Sequence, residues 1–496
     1  RGKINKQMIT KKISVISALL KVIHKTHGFY FIKVKRNQMT STSISKRRIL
    51  GSWENTLINI SRKYQGLFRV AEILRLQGPI IRLQALEAAV SCLQQRHPFL
   101  RSRLRNNPAT QNSYLMEEDI TVHLKVREIH RKRNDHLNFW QQEWREREKD
   151  IPMIDQGLAE FWLLQDPDDY DDDEAPREIV ITCEHSISDG ISLSTVAHEL
   201  LLALGEQDKT LFEHSLDWPV AMEVAIERSL SKWNRFITLS KFIVNATYQH
   251  VTNTKKIARI RYTDVDFPLH NAHEYCHTET FYHSLSKEDT KALFDRCHRE
   301  GVTVTSAISI AIFCAVSTLV NNKDGYLTYA IAADNRRRYI PAMPNNFLSC
   351  QISGISLFSW AISDIPTINE NMWQLARTFG DHVKTSINAG EIFASGMILG
   401  NVYMKDEGPL SVTNHPTCGI SNWGPLPFQV EYGKWKLVEM IPSGNFARSF
   451  TPIALVHTIN GMLTIAHVGP VPAYSSNDLE QLQNDTIKYL RQMIVN

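Results

Sequence analysis

The sequence predicts an α/β protein in two halves, and three patterns predict it. A β-rich run at 179–183 passes almost directly into a helix-period run carried by Leu193, Val196, Leu200, Leu201 and Leu204. A second series of strand, helix, helix and strand starts near Phe281 and continues to Ala332. Two β-rich runs, 455–459 and 462–468, bracket Asn460-Gly461, a strong hairpin signal. The expected organisation is an extension over 1–38, an N-terminal lobe over 39–205, a bridging segment over 206–275 and a C-terminal lobe over 276–496.

Each element has a local reason. Ile80, Leu83, Leu86, Ala89 and Leu93 recur at three- to four-residue spacing and predict a helix over 79–96. His97-Pro98 ends it, and Phe99-Leu100-Arg101 begins an extended stretch. Residues 136–149 read as a charged, Trp-containing helix. The carboxylate-rich run 165–174 lacks the central glycine and terminal glutamate of a calcium loop, and reads as a solvated turn between strands 161–164 and 179–183. Residues 205–275 carry no single strong pattern. In the second half, Phe281-Tyr282-His283 reads as a strand and Ser286-Lys287-Glu288-Asp289 as a capping box ended by Gly301. Residues 302–305 lead into a nearly all-apolar helix, 306–320, which must be buried. A strand over 326–332 runs into Asp334-Asn335-Arg336-Arg337-Arg338, and 477–494 is a closing amphipathic helix.

Length and composition suit an ordinary globular protein: 496 residues, 43% hydrophobic and 22% charged. No apolar run is long enough for a spanning helix of roughly 20 residues. The 7 cysteines include no CxxC pair, which argues against a disulfide framework or zinc ribbon and fits a reducing compartment. Residues 1–38 hold ten Lys or Arg and no carboxylate; without them the net charge falls from +4 to −6. The body is mildly acidic and gives no case for nucleic-acid binding. Met39 is a plausible start, and 1–38 is expected to lie outside the native fold.

The chemistry concentrates at 184–190. GxSxG and GxxxxGK[ST] motifs are absent from the sequence. What remains is His185-x-x-x-Asp189-Gly190 at the C-terminal end of a buried strand, where open sheets usually place chemistry. An imidazole takes a proton near neutral pH. Asp189 fixes the loop through an ionic bond, and Gly190 permits a tight turn. Cys183 shares a strand face with Ile181 and reads as core rather than nucleophile. His270, His273, Cys276 and His277, with His283 beyond, suit zinc by residue type, but no second ligand pair follows at finger-like spacing, so no metal is expected.

Several stations in order resemble the chloramphenicol-acetyltransferase-like superfamily of HxxxD acyltransferases. The nearest branches are the alcohol acetyltransferases, polyketide-associated acyltransferases and peptide-synthetase condensation domains. His97-Pro98-Phe99-Leu100-Arg101 looks like the early HPxLR segment, and 184–190 looks like HHxxxDG. Residues 302–316 resemble the TV-containing helix start, Asp334-Asn335-Arg336 the DxR motif, and Ser421-Asn422-Trp423-Gly424 the SNxG segment. Glu184 stands where the motif has its first histidine, and the plant-type DFGWG is absent in that form.

The resemblance implies a two-lobed α/β fold, each lobe a mixed sheet with helices, and an active-site tunnel between them. His185 is then the general base, Asp189 is structural and Arg336 is its partner, ahead of Arg337 and Arg338. Ser421, Asn422, Trp423 and Gly424 are candidates for the oxyanion or substrate. The expected enzyme is a monomeric, cytoplasmic O-acyltransferase. It takes acyl-CoA as co-substrate and an alcohol or amine as acceptor, and needs no bound cofactor. Peripheral attachment to a membrane or lipid droplet stays open. The rival readings are a carrier-protein-dependent, condensation-like enzyme and a catalytically silent binding protein.

Overall fold

A computed structural model describes residues 46–110, 113–131, 138–168, 172–252, 256–366, 369–402 and 415–495. The expectation for 1–38 lies outside them. In chain order the first part runs β1 (Arg47–Ile49), α1 (Ser52–Lys63), β2 (Val70–Gln77), α2 (Leu83–Arg96), β3 (Ser102–Asn106), β4 (Tyr114–Glu118) and β5 (Lys125–His130). It continues with α3 (Phe139–Arg147), β6 (Ala159–Gln165), β7 (Arg177–Cys183) and α4 (Gly190–Leu204). Every residue of β6 and β7 is buried, which explains their near-continuous apolar runs. The two pair antiparallel, so the carboxylate-rich run is the connection between them.

Two local expectations are corrected. The helix expected over 79–96 begins at Leu83, because the Gln165 side chain pairs with Ile81 as a strand would, accepting from its N–H at 3.0 Å and donating to its carbonyl at 2.8 Å. Pro98–Arg101 is a 3₁₀ turn, closed by Leu100 N–H on the His97 carbonyl at 3.0 Å, and extension starts at Ser102.

The bridging region contains α5 (Met222–Ser229) and α6 (Lys232–Thr252). The period of α6 is hard to read in sequence because Trp233, Phe236 and Val244 are exposed. Then follow β8 (His277–Ser284), α7 (Lys287–Glu300), α8 (Val304–Leu319), β9 (Tyr326–Asp334), β10 (Ile352–Gly354), β11 (Phe358–Ala361), α9 (Asn369–Asn388) and α10 (Glu391–Val402). The chain finishes with β12 (Cys418–Pro425), β13 (Glu431–Tyr432), β14 (Trp435–Gly444), β15 (Ile453–Ile459), β16 (Met462–Val471) and α11 (Ser476–Val495). Ser286 caps α7 by accepting from Asp289 N–H at 3.0 Å, and Gly301 ends it in the left-handed region at φ 66°. Thr303 caps α8, whose apolar faces are buried almost all round. Asn460 and Gly461 both take positive φ and turn β15 into β16.

The strands form two large mixed sheets, each with its own core. One has the order β13-β14-β2-β7-β6-β5; the other has the order β10-β9-β12-β15-β16-β8, with β11 on β9. A small sheet, β1-β4-β3, flanks the first. The first core centres on residues such as Leu74, Phe161 and Ile181, the second on residues such as Phe313, Tyr329 and Ile465. The lobes are not simple halves of the chain. β13 and β14 come from beyond residue 430 but belong to the first sheet, with Ile441 opposite Ile73 on β2. This strand exchange crosses a division drawn at 276 and holds the lobes in register. Glu148 reinforces it by accepting from Thr278 N–H at 2.9 Å. Among the described residues no single helix is long and apolar enough to cross a membrane.

Candidate active site

The site begins where β7 stops. After Cys183 the chain folds back on itself: Ile187 N–H and the Ser188 hydroxyl both donate to the Glu184 carbonyl, each at 3.1 Å. From Arg177 to Gly190 every residue is buried except His185, which is partly exposed. Its Nδ1 lies 2.7 Å from the Ser188 carbonyl oxygen. A carbonyl only accepts, so Nδ1 carries the hydrogen and Nε2 presents a lone pair. The loop thus selects the tautomer that a proton acceptor needs.

Asp189 ends the loop and starts α4. Its Oδ1 accepts from Ser192 N–H at 3.0 Å, a helix N-cap. Its Oδ2 accepts from Gln351 N–H at 2.9 Å and from Arg336 Nη2 at 2.8 Å. Arg336 also reaches the Ser349 carbonyl and Asp334 Oδ1, each at 2.8 Å. Asp189 and Arg336 are both fully buried and come from different lobes. Burial opposes the Arg336 charge, but Asp189 and Asp334 outweigh it and hold the guanidinium above its ordinary value. Arg337 and Arg338 are exposed, and among the described residues neither pairs with Asp189.

Gly190 has a different reason from the expected tight turn. It is the first residue of α4 and is not among the positive-φ glycines. A Cβ there would meet Trp423 Cε2 at 2.0 Å, so the indole occupies the space a side chain would take. In the segment 421–424, Trp423 Nε1 donates to Ser421 Oγ at 3.0 Å, and Asn422 Nδ2 donates to Thr305 Oγ1 at 2.9 Å. Gly424 N–H donates to Asn422 Oδ1 at 2.9 Å. Trp423 Nε1 and Gly424 N–H are thus engaged, Asn422 Nδ2 has given one of its two hydrogens, and among the described residues the Ser421 hydroxyl donates to no partner. A cavity of about 710 Å³ opens at the lobe boundary, lined by Ile191 and Thr195 of α4, Arg337 and Arg338 after β9, and Asn422 and Trp423 of β12. His185 is not among its lining residues. Trp423 is the shared wall, facing the cavity and packing on Gly190.

Sequence reasoning missed two neighbours. Val70 pairs with both Cys183 and Gly444, so two residues further on Phe68, His185 and Phe446 stand at the ends of three adjacent strands. Phe68 takes φ 69°, an uncommon left-handed state for a bulky residue, and meets Phe446 edge-on at 6.1 Å. With Trp423 they form an aromatic cluster beside the histidine. No motif marks Phe68; only the strand register reveals it. Glu72, the second, lies fully buried on β2, accepting from the Ser194 hydroxyl at 2.7 Å. Burial, opposed by that hydrogen bond and helped by nearby Asp189, pushes its carboxyl up to about 8.

The rival groups are placed as follows. Burial pushes the Cys183 thiol up to about 12, which suits a core residue and not a nucleophile. Glu184 is buried and accepts from the Ser61 hydroxyl at 3.1 Å, beside the histidine without covering it. Among the described residues no three His, Cys, Asp or Glu side chains converge to hold a metal. His273 packs edge-on against Tyr64 at 5.0 Å, and His277 pairs with Glu279 at 3.1 Å.

Two outcomes follow for stability. Arg336→Ala strands Asp189 and Asp334 without their cation and should cost about 3–5 kcal/mol in urea unfolding; adding Asp189→Asn should recover part of that loss. Glu72 binds a proton when folded that the unfolded chain releases above its ordinary value of 4.5, so its contribution is present below pH 4.5 and lost as pH rises towards about 8. Glu72→Gln should therefore flatten the stability profile between pH 4.5 and 8, measured by unfolding midpoints across that range.

A family model for alcohol acetyltransferases matches residues 148–450, more than half of the chain. No curated protein matches the sequence. Among solved structures, TRI3 trichothecene 15-O-acetyltransferase from Fusarium sporotrichioides aligns with a TM-score of 0.73 at 12% identity, over 92% of this chain and 97% of that one. Polyketide synthase associated protein 5 from Mycobacterium tuberculosis aligns at 0.62 and 15% identity, over 89% and 98%. The first condensation domain of the calcium-dependent antibiotic synthetase aligns at 0.66 and 13% identity, over 92% and 97%. At these identities the likeness shows the shared fold, that of the two-lobed chloramphenicol-acetyltransferase-like superfamily. The family match and the shared fold together place this chain in the alcohol acetyltransferase family.

Proposed function

We propose that this protein moves an acyl group from acyl-CoA to the hydroxyl of a small-molecule acceptor, with His185 as general base. The observation that carries the reading is the bond from His185 Nδ1 to the Ser188 carbonyl, on the one partly exposed side chain of an otherwise buried loop. It leaves Nε2 free to take the acceptor's proton as the hydroxyl oxygen attacks the thioester carbonyl. The tetrahedral oxyanion collapses and expels the thiolate, and Nε2 returns the proton to give free thiol. Asp189 is a positioning residue: it touches no substrate and fixes the loop through Arg336 and the α4 N-terminus. Of the 421–424 candidates, the Ser421 hydroxyl and the second Nδ2 hydrogen of Asn422 are the side-chain donors left for the oxyanion. The inward-facing position of Glu184 weighs against a silent protein, since its carboxylate is held by Ser61 and leaves His185 accessible.

Thiol release from acyl-CoAs of graded length, against a panel of alcohols and amines, tests the reading. The wild-type protein should release CoA with an alcohol, and His185→Ala should do so about 10²–10⁴-fold more slowly. An undiminished rate in the variant would remove His185 from the role. Turnover only with carrier-bound thioesters would move the donor to a carrier protein.

A further inference from the structure

The boundary cavity carries charge that the proton transfer at His185 does not use. Arg337 and Arg338 line it and are exposed, and among the described residues no carboxylate pairs with either. Asp334 lines the same cavity, but its Oδ1 is held at 2.8 Å by Arg336. The two arginines sit on a 3₁₀ turn, Arg336–Arg338, whose first residue is locked in the core. Met343 N–H closes the following loop on the Arg336 carbonyl at 3.0 Å. The guanidiniums are therefore displayed from a fixed base. The first turns of two long helices also face the cavity, at Ile191 of α4 and Thr305 of α8, and each adds positive potential there. The lining also includes an apolar part, Trp423 and the Pro425–Pro427 stretch.

We propose that Arg337 and Arg338 form a subsite for the diphosphate of a nucleotide-bearing donor, free CoA, whose apolar arm lies along Trp423. This rests on the thioester-donor reading above. Two adjacent cations with no carboxylate partner among the described residues match two adjacent phosphate charges, and arginine is suited to phosphate by its planar fork of donors. A volume of about 710 Å³ is within the range of ligand sites. The arginines act on binding and not on the chemical step, because His185 is not among the residues lining the cavity they occupy.

The test compares wild-type protein with the double variant Arg337→Gln/Arg338→Gln, and with Arg337→Lys/Arg338→Lys as a charge-retaining control. Acetyl-CoA and the acetyl thioester of N-acetylcysteamine, which lacks every phosphate, serve as donors. The glutamine variant should raise KM for acetyl-CoA about ten- to a hundredfold, the scale of lost charge-assisted hydrogen bonds. Its kcat, and its KM for the truncated donor, should match wild type, and the lysine control should recover part of the loss. Equal KM for acetyl-CoA in wild type and the glutamine variant overturns the subsite. Calorimetry with CoA alone separates the two readings. If wild type turns over no thioester, the acyltransfer reading fails, while CoA binding weakened in the glutamine variant still supports the subsite and unchanged binding overturns it.

Discussion

The buried pair of Asp189 and Arg336 is the constraint on which the rest of the site depends. Both ends are inaccessible to water, so neither charge is tolerable without the other. Their desolvation is offset by directed bonds: Ser192 and Gln351 N–H groups on the aspartate, the Ser349 carbonyl and Asp334 on the arginine. Three consequences share this one contact. It starts α4, which ends the loop that presents His185. It ties the first lobe to the second. It also anchors the turn that carries Arg337 and Arg338 to the rim of the boundary cavity.

The lobe boundary is further set by two steric facts. β14 crosses from the second half of the chain to complete the first sheet, so the lobes share a strand ladder rather than a hinge alone. Trp423 occupies the place of a missing Cβ at Gly190, which fixes the distance between β12 and α4. Together with the ion pair these contacts fix β12, α4 and the loop of His185 against one another, which is what the proposed general-base chemistry would require of its scaffold.

Much of this was legible in sequence. The cap at Ser286, the Gly301 stop and the Asn460-Gly461 turn are short-range signals, and each marks an element boundary in the structure. The stretch carrying His185 lies at a strand end, as its buried run and following helix period indicate. Other features depend on contacts between distant segments. Gln165 posing as a strand partner for Ile81 shortens α2 without any local sign. Phe68 enters the site through pairing with strands that start over a hundred and over three hundred residues away. Gly190 looks like a turn glycine until the indole of Trp423, from the other lobe, is placed against it. The exposed aromatics of α6 obscure a helix that packs only in part.

The central claim is that the loop holds His185 with its proton on Nδ1 and its lone pair on Nε2. Nitrogen-15 NMR of selectively labelled histidine, with His185 assigned by substitution and recorded above its protonation range, reads this directly. The account predicts a protonated Nδ1 bonded to the Ser188 carbonyl and an unprotonated Nε2. A resting state with the hydrogen on Nε2 would contradict it.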